Sequence, residues 1–277
     1  MAHHGYAEQV NAHYTPGTAE NLADAFVRVL RSWGKECVTL TPDDLAPIDQ
    51  FHVGGEAATR ALATLAGVGP TTRVLDVGGG FGGPARTLAA TYGCAVTVLD
   101  LTEAYCQVGE MLTARSGLSD HVVFRQGDAL AMPFPDAAFD LLWTQHSSMN
   151  IADKRQLYTE AYRVLRPGGQ LALYEIMAGP HPPLHYPVPW ARDATISFLS
   201  PPDAIHALLT DLGYRTLHWE DLTDATVAAA QSRPAPAEPP PGLHLVLGAD
   251  FLERARNMGR NLAEHRTALI RAVLTRP

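Results

Sequence analysis

Short apolar runs alternate with helix-like segments through the middle of the chain. Five runs have the length of buried strands: Arg73–Val77, Ala95–Asp100, Val122–Gln126, 139–144 and 170–176. Between them, apolar residues recur at helical spacing over 84–92, 103–116 and 154–165. Strands that alternate with helices form βαβ units, which have parallel strands and right-handed crossovers. The pattern therefore predicts an α/β fold with a mainly parallel, doubly wound sheet.

The flanks of this region carry further predicted elements. At the N-terminal side, helical spacing marks 18–33 and 56–66, while 41–55 is rich in Pro, Asp and Gly and predicts a loop. After the fifth strand, the same criteria predict helices at 202–212 and 249–264, and strands at 215–220 and 268–275.

Two segments interrupt the regular pattern. The first, 178–202, is dense in proline and aromatic residues, and the second, 233–242, is a proline-rich surface loop. Proline is rarely tolerated inside helices or central strands, so neither segment fits an element interior. We therefore predict an N-terminal helical cap at 1–66 and one large domain at 67–277, with lid insertions around 178–202 and 233–264.

The amino-acid composition limits the classes of partner that we expect for this protein. The 277 residues carry a formal net charge of −8, and the basic residues form no cluster along the sequence. Binding to nucleic acid or to an anionic membrane requires concentrated Lys and Arg, so neither partner is expected. The three cysteines have no metal-ligand spacing, and their odd number argues against a disulfide framework. With no signal-peptide core and no apolar run of ~18 residues, the expected location is the cytosol.

A glycine-rich turn follows the first strand. Asp76 lies near the end of that strand, and Gly78, Gly79 and Gly80 lead through two further glycines to a helix that Pro84 opens. Glycine lets the backbone approach a ligand closely. Dinucleotide sites use the spacing G-x-G-x-x-G, whereas this chain has G-x-G-x-G. S-adenosylmethionine presents an amino acid and a ribose, which fits a carboxylate before the turn and a second one at Asp100.

Later motifs make a purely structural interpretation of the glycines less convincing. The strings Gly127-Asp128-Ala129 and Leu165-Arg166-Pro167-Gly168-Gly169 each stand at a strand boundary. With these motifs, the string 74–176 resembles class I S-adenosylmethionine-dependent methyltransferases, especially the bacterial small-molecule branch of methyltransferase type 11 that includes the ubiquinone/menaquinone enzymes. The segments 50–55 and 143–146 resemble sarcosine/dimethylglycine and sugar methyltransferases more distantly. These motifs are specific for cofactor and fold and carry little information about substrate.

The resemblance implies a seven-stranded sheet whose final strand is antiparallel and inserted beside the preceding one. It also implies S-adenosyl-L-methionine as the cofactor. The expected cofactor-binding residues are Asp76, Gly78, Gly79 and Gly80 at the methionine end, with Gln145 beside it, Asp100 at the ribose, and Leu101, Asp128 and Ala129 at the adenine.

Two side chains near strand ends are candidate general bases. His146 follows the fourth strand, and its imidazole titrates near neutral pH. Glu175 lies near the end of the fifth strand in an apolar setting that would raise its pKa. A structural role, as a hydrogen-bonded or capping residue, remains the alternative for both.

The cap and the 178–202 segment supply aromatic side chains for a substrate pocket. The expected substrate-binding residues are Tyr14, Phe51, His52, Tyr186, Trp190 and Phe198, and each has core packing as its alternative role. Arg192 could pair with a substrate anion, although a solvated arginine is the default. The remaining histidines show no zinc-enzyme spacing, and we expect no metal.

The leading hypothesis is an enzyme that methylates a small metabolite, with secondary metabolism as a candidate setting. Whether the acceptor atom is O, N or C stays open, as does a homodimer. An NAD(P)-dependent oxidoreductase and a non-catalytic cofactor-binding protein on the same fold are the alternatives.

Overall fold

A computed structural model describes residues 2–14, 19–35, 39–232 and 242–277, with backbone alone for 2–7 and 19–21. Its centre is a seven-stranded sheet in the order β3-β2-β1-β4-β5-β7-β6. The strands are β1 Arg73–Val77, β2 Ala95–Asp100, β3 Val122–Gln126, β4 Phe139–Gln145, β5 Leu165–Ala178, β6 Arg215–Asp221 and β7 Thr267–Thr275. Strands β1 to β5 pair in parallel. Strand β7 is antiparallel to both β5 and β6 and lies between them, as predicted.

Helices cover both faces of the sheet. They are α1 Ala2–Tyr14, α2 Ala19–Ser32, α3 Pro42–Asp49, α4 Gly55–Leu65, α5 Gly83–Tyr92, α6 Glu103–Arg115, α7 Lys154–Val164, α8 Pro202–Asp211, α9 Thr223–Gln231, α10 His244–Leu247 and α11 Phe251–Ala263. Successive residues of β1 face the two helix layers on opposite sides of the sheet. Val74 belongs to a core cluster with residues of α4 and α5, and Leu75 belongs to one with residues of α7 and α8. The sheet is therefore doubly wound, as the apolar pattern predicted.

The prediction of a loop over 41–55 was wrong. Helix α3 fills most of this segment, and its start is a capping box: Thr41 Oγ1 accepts from the Asp44 N–H, and Asp44 accepts from the Thr41 N–H. The Pro and Asp residues that suggested a loop are those that favour a helix N-terminus. Leu45 and Ile48 are buried against α2 and α6. Helix α3 thus anchors the N-terminal segment onto the sheet domain.

Other differences concern helices without a strong periodic signal. Helices α1, α9 and α10 were not predicted, and most of the predicted 233–242 loop lies outside the described residues. The division at residue 66 stays a prediction, and Leu62 and Ala63 of α4 belong to the same core cluster as Val74 of β1.

The connections place a ligand crevice at one edge of the sheet. From β1 the chain proceeds outward to β2 and β3, and it then crosses back to β4 on the other side of β1. Loops after β1 and β4 therefore diverge at the carboxyl ends of neighbouring strands, where open α/β sheets bind ligands.

Candidate active site

A cavity opens at the carboxyl ends of β1, β2 and β4. The structure brings together there every residue predicted to bind the cofactor: Asp76, Gly78, Gly79, Gly80, Asp100, Leu101, Asp128, Ala129 and Gln145. His146, Tyr14, Phe51 and His52 also line this cavity. The remaining predicted site residues, Glu175, Tyr186, Trp190 and Phe198, do not.

The glycine turn leaves no room for side chains at two positions. Gly78 has a φ of 72°, and a Cβ there would lie 2.4 Å from Cβ of Ser147 in the loop after β4. A Cβ on Gly79 would lie 2.5 Å from Oδ2 of Asp76. The two loops therefore touch across the crevice only because residue 78 is glycine.

Asp76 presents an unpaired carboxylate oxygen inside the protein. The residue is 1% exposed, and its Oδ2 has no hydrogen-bond partner among the described residues. Burial and, to a smaller extent, the negative charge of Asp100 together raise the pKa of Asp76 to about 8. Buried polar atoms without partners are rare, so this oxygen indicates a missing donor such as a ligand ammonium group.

Asp100 holds the cavity in shape. Its Oδ2 accepts the Gly80 N–H at 2.9 Å, and its Oδ1 accepts the Thr102 N–H at 2.8 Å. Burial raises the pKa of Asp100, and the two backbone hydrogen bonds oppose that shift. A carboxylate has about four lone-pair sites, so each oxygen can still accept from a ligand hydroxyl.

A hydrogen-bond chain fixes the orientation of Gln145. Its Oε1 accepts from Trp143 Nε1 at 3.0 Å and from Thr59 Oγ1 at 3.2 Å. The amide nitrogen Nε2 is buried and has no partner in the described part of the chain. Gln145 therefore adds N–H donors to the cavity that Asp76 also lines, and a donor together with an unpaired acceptor suits the two charged ends of an amino acid.

His52 and His146 both line the cavity, and each ring has one nitrogen without a hydrogen-bond partner among the described residues. The unpartnered nitrogen is Nδ1 in His52 and Nε2 in His146. Nε2 of His52 donates to the Gly55 carbonyl at 2.8 Å and lies 3.2 Å from Thr59 Oγ1, so the proton is on Nε2. Nδ1 of His146 accepts the Val53 N–H at 3.3 Å, which leaves the proton of a neutral ring on its Nε2. His52 thus presents a lone pair, and His146 presents an N–H.

Burial keeps both rings neutral. It lowers the pKa of His52 to about 4, against a weaker opposing effect of the Gly55 carbonyl. It also lowers the pKa of His146 well below the ordinary value, and the nearby His52 contributes to that shift. Neutral imidazoles at these positions can exchange hydrogen bonds with a ligand at physiological pH.

Glu175 is hydrogen-bonded to the turn after β4. Its side chain is 0% exposed and lies beneath the turn after β4, where the carboxylate accepts the N–H groups of Ser147 and Ser148. Burial raises the pKa of Glu175, as its apolar strand suggested. Glu175 is not among the residues that line the cavity. Its two backbone hydrogen bonds connect β5 to the turn that carries His146, and a catalytic role for Glu175 stays a prediction.

The structure also revises three predicted substrate contacts. Trp190 is buried and its indole N–H donates to Ser197 Oγ, Tyr186 packs against the same core cluster as Trp190, and the Phe198 N–H donates to the Met149 carbonyl. These residues fasten the 178–202 segment to the sheet, which is the core-packing alternative.

Sequence reasoning missed several residues around the crevice. Asn150 accepts a hydrogen bond from the Tyr14 hydroxyl at 2.7 Å and donates to the Trp190 and Ile196 carbonyls, so it joins the cap to the inserted segment. Tyr105 of α6 lines the cavity wall. Neither residue type stands out in its sequence context, because their roles depend on contacts between distant segments.

The described residues contain neither a candidate metal centre nor a candidate membrane-spanning helix. Within the described residues, no three His, Cys, Asp or Glu side chains are grouped so that they could hold a metal ion. No helix in the described ranges combines the length and apolarity needed to cross a bilayer.

Comparison with known proteins agrees with this geometry. Residues 75–173 match the profile of the family described as "Methyltransferase domain". The chain is 31% identical to the sarcosine/dimethylglycine N-methyltransferase of Halorhodospira halochloris, over 73% of this chain and 71% of that protein. It is 32% identical to the glycine/sarcosine/dimethylglycine N-methyltransferase of Actinopolyspora halophila, over 64% of this chain. The matched region spans only 32% of the length of that relative.

A solved structure shares the fold at lower sequence identity. The crystal structure of the [4+2]-cyclase SpnF superposes with a TM-score of 0.62, at 24% identity, over 80% of this chain and 81% of that one. Because a protein described as a cyclase shares this fold, the fold by itself does not establish a reaction.

Proposed function

The chain belongs to the class I S-adenosylmethionine-dependent methyltransferases, and on this basis we propose that it transfers a methyl group from S-adenosylmethionine to a small-molecule acceptor. The observation that carries the proposal is the set of unsatisfied polar atoms around the glycine turn. Within the described ranges, Oδ2 of Asp76 has no donor and Nε2 of Gln145 has no acceptor. An amino acid has an ammonium group and a carboxylate, which would complete both.

The same residues fit the rest of this cofactor. Asp100 retains lone pairs for ribose hydroxyls, and Leu101, Asp128 and Ala129 line the cavity beyond it, where the adenine would lie. When bound, S-adenosylmethionine supplies a methyl group already activated by its sulfonium. The chain's task is then to hold the acceptor in line and to exclude water, and such positioning contributes several kcal/mol to catalysis.

For an acceptor that loses a proton on methylation, we propose His52 as the general base, in place of His146. Nδ1 of His52 carries a free lone pair at the cavity, and the bond from Nε2 to the Gly55 carbonyl fixes this tautomer. Nδ1 of His146 is already occupied by the Val53 N–H, so this ring can donate from Nε2 and orient the acceptor. A tertiary amine acceptor would need no base, and His52 would then serve as a wall residue.

The alternatives are less well supported. An NAD(P)-dependent oxidoreductase would need a pyrophosphate site, whereas an acidic, unpaired Asp76 adjoins this glycine turn. A non-catalytic cofactor-binding protein would keep the same pocket, and only an enzyme would form a methylated product from S-adenosylmethionine.

The buried free thiols of Cys94 and Cys106 support a reducing compartment, and we propose the cytosol as the location. The net charge of −8 opposes polyphosphate partners, and light scattering would test the predicted homodimer.

Substitution of the Asp76 carboxylate by an amide tests the proposed cofactor site. In titration calorimetry, the wild-type protein should bind S-adenosylhomocysteine, which keeps the ammonium group, and should not bind NAD. Asp76→Asn should weaken that binding ~10- to 100-fold, because a charge-assisted hydrogen bond contributes about 1.5–3 kcal/mol.

The matched control is Asp120→Asn, an exposed carboxylate in the turn before β3. It should bind as the wild type does. Undetectable binding of S-adenosylhomocysteine to the wild-type protein, or unchanged binding to Asp76→Asn, would refute the assignment.

A further inference from the structure

A second chamber adjoins the cofactor cavity. Tyr14, Phe51 and Tyr105 line both spaces, so these three aromatic side chains form a shared wall. The rest of the second chamber comes from the end of α1, from the 178–202 segment and from α10 and α11. Its other lining residues are His13, Pro189, Arg192, Leu247, Asp250, Phe251 and Arg254.

The second chamber contains a buried guanidinium that is only partly neutralised. Arg254 is 7% exposed, and its Nη2 donates to Oδ2 of Asp250 at 2.6 Å. Its Nε–H is buried and has no partner among the described residues. A buried donor without an acceptor is destabilised relative to one that is paired. The chamber therefore lacks one acceptor at Arg254.

The charges around Arg254 leave an excess of positive charge. Arg192 also donates to Oδ2 of Asp250, at 3.4 Å, so two guanidinium groups share one carboxylate. The only other titratable side chains lining the chamber are His13, Tyr14 and Tyr105. Burial lowers the pKa of His13, and the charges of Arg254 and Arg192 add to that shift. Among the described lining groups, the sum is one net positive charge.

The remaining surface of the chamber is apolar. Pro189, Leu247 and Phe251 face it together with the shared aromatic wall. A ligand that fits both properties has an apolar or aromatic body and an anionic end. A neutral apolar ligand would leave the Arg254 Nε–H unpaired.

We propose that the second chamber is the acceptor-binding site and that the acceptor carries a carboxylate or phosphate group, which Arg254 binds. This inference rests on the proposed methyl transfer. The anionic end would lie against Arg254, and the body would extend along the shared aromatic wall toward the cofactor cavity. Planar guanidinium groups bind both anions through paired N–H donors.

The test uses small aromatic probes and protein saturated with S-adenosylhomocysteine. Benzoate and phenyl phosphate are titrated against benzamide and benzyl alcohol, which have similar bodies without charge. We expect at least one anion to bind tenfold or more tightly than its neutral counterpart. The stronger of the two anions distinguishes a carboxylate site from a phosphate site.

Two variants in α11 test whether Arg254 causes the preference for the anionic probes. Arg254→Gln should abolish the preference for the anion while S-adenosylhomocysteine still binds. Arg256→Gln, an exposed arginine two residues further along α11, should leave the preference unchanged. Equal affinity of the wild type for charged and neutral probes, or a preference that survives Arg254→Gln, would overturn the inference.

A crystallographic experiment covers the case in which Arg254→Gln does not fold. Wild-type crystals with S-adenosylhomocysteine are soaked in 4-bromobenzoate, and the bromine locates the probe. A carboxylate against Arg254 supports the inference, and any other position contradicts it. Failure of the wild type to bind S-adenosylhomocysteine would instead remove the proposed function, so the two failures remain distinguishable.

Discussion

At the scale of single residues, the hydrogen bonds of His52 and His146 determine what each ring can do. Both rings are buried and neutral, yet one presents a lone pair to the cavity and the other an N–H. The sequence could not reveal this difference, because the partners are backbone groups of Gly55 and Val53. His146 and Glu175 were the predicted bases, and the tautomers favour His52.

Substitution of His52 by Gln separates its two nitrogens. The Gln amide can still donate to the Gly55 carbonyl, as Nε2 of His52 does, but it offers no basic nitrogen. For an acceptor that loses a proton, we expect turnover to fall ~10²- to 10⁴-fold. The affinity for S-adenosylhomocysteine should stay within about twofold of the wild type, and mass spectrometry of the methylated product measures turnover.

The pH profile gives a second readout for the same residue. Because the pKa of His52 is lowered to about 4, its basic form persists at all higher pH values. Turnover should therefore show no loss attributable to His52 between pH 8 and pH 5. Turnover that is unchanged in His52→Gln would eliminate His52 as the base.

At the scale of elements, the turn after β4 depends on β5 beneath it. His146 has a φ of 54°, a left-handed conformation that a non-glycine residue adopts only under constraint. The next two backbone N–H groups donate to Glu175, and the Lys154 ammonium donates to the Ser148 carbonyl at 2.6 Å. Glu175 therefore constrains the turn at a distance from the ligand.

Two substitutions of Glu175 test this positioning role. Glu175→Ala leaves two buried N–H groups without an acceptor, and we expect it to lower the free energy of unfolding by about 2–5 kcal/mol. Glu175→Gln keeps one carbonyl oxygen and should restore most of that stability. Urea denaturation measures both effects.

The ring signals of His146 provide the decisive comparison. In NMR spectra they should shift in Glu175→Ala and return close to wild-type positions in Glu175→Gln. Unshifted His146 signals in a folded Glu175→Ala variant would show that the turn holds its shape by other means.

Sequence patterns predicted the sheet elements better than the cap. Strands β1, β2 and β3 were predicted with their observed bounds, because apolar runs of strand length were separated by clear turn residues. Helix α3 was missed because its capping residues resemble a loop. The residues that we propose for cofactor binding could be predicted to share one cavity since they follow strand ends in sequence, whereas Asn150 and Arg254 acquire their environment only from segments far away in the chain.

At the scale of the whole molecule, the buried titratable groups of the candidate site affect stability. The pKa of Asp76 is raised to about 8 in the folded state, so the native protein retains a proton that the unfolded chain releases above its ordinary value of 3.8. Stability from this group is therefore lost as pH rises toward 8. The lowered pKa of His52 acts oppositely, since stability is lost as pH falls from 6.5 toward about 4.

Between pH 6.5 and pH 8, the effect of Asp76 on the free energy of unfolding should not be opposed by His52. In the ligand-free protein we expect its contribution to be a loss of about 1 kcal/mol per pH unit, and Asp76→Asn should remove that slope. Urea denaturation at a series of pH values compares the two proteins. Parallel curves for wild type and variant would contradict a raised pKa at Asp76.

Apart from the aromatic wall that they share, the two chambers draw largely on different stretches of the chain. The glycine turn, Asp100 and Gln145 lie within residues 75–173, the part that matches the family profile, whereas Arg192, Phe251 and Arg254 lie outside it. Evolution could therefore exchange the flanks and recruit new acceptors while the nucleoside pocket stays intact. A chimera that keeps 75–173 and takes its flanks from a relative should inherit the relative's selectivity.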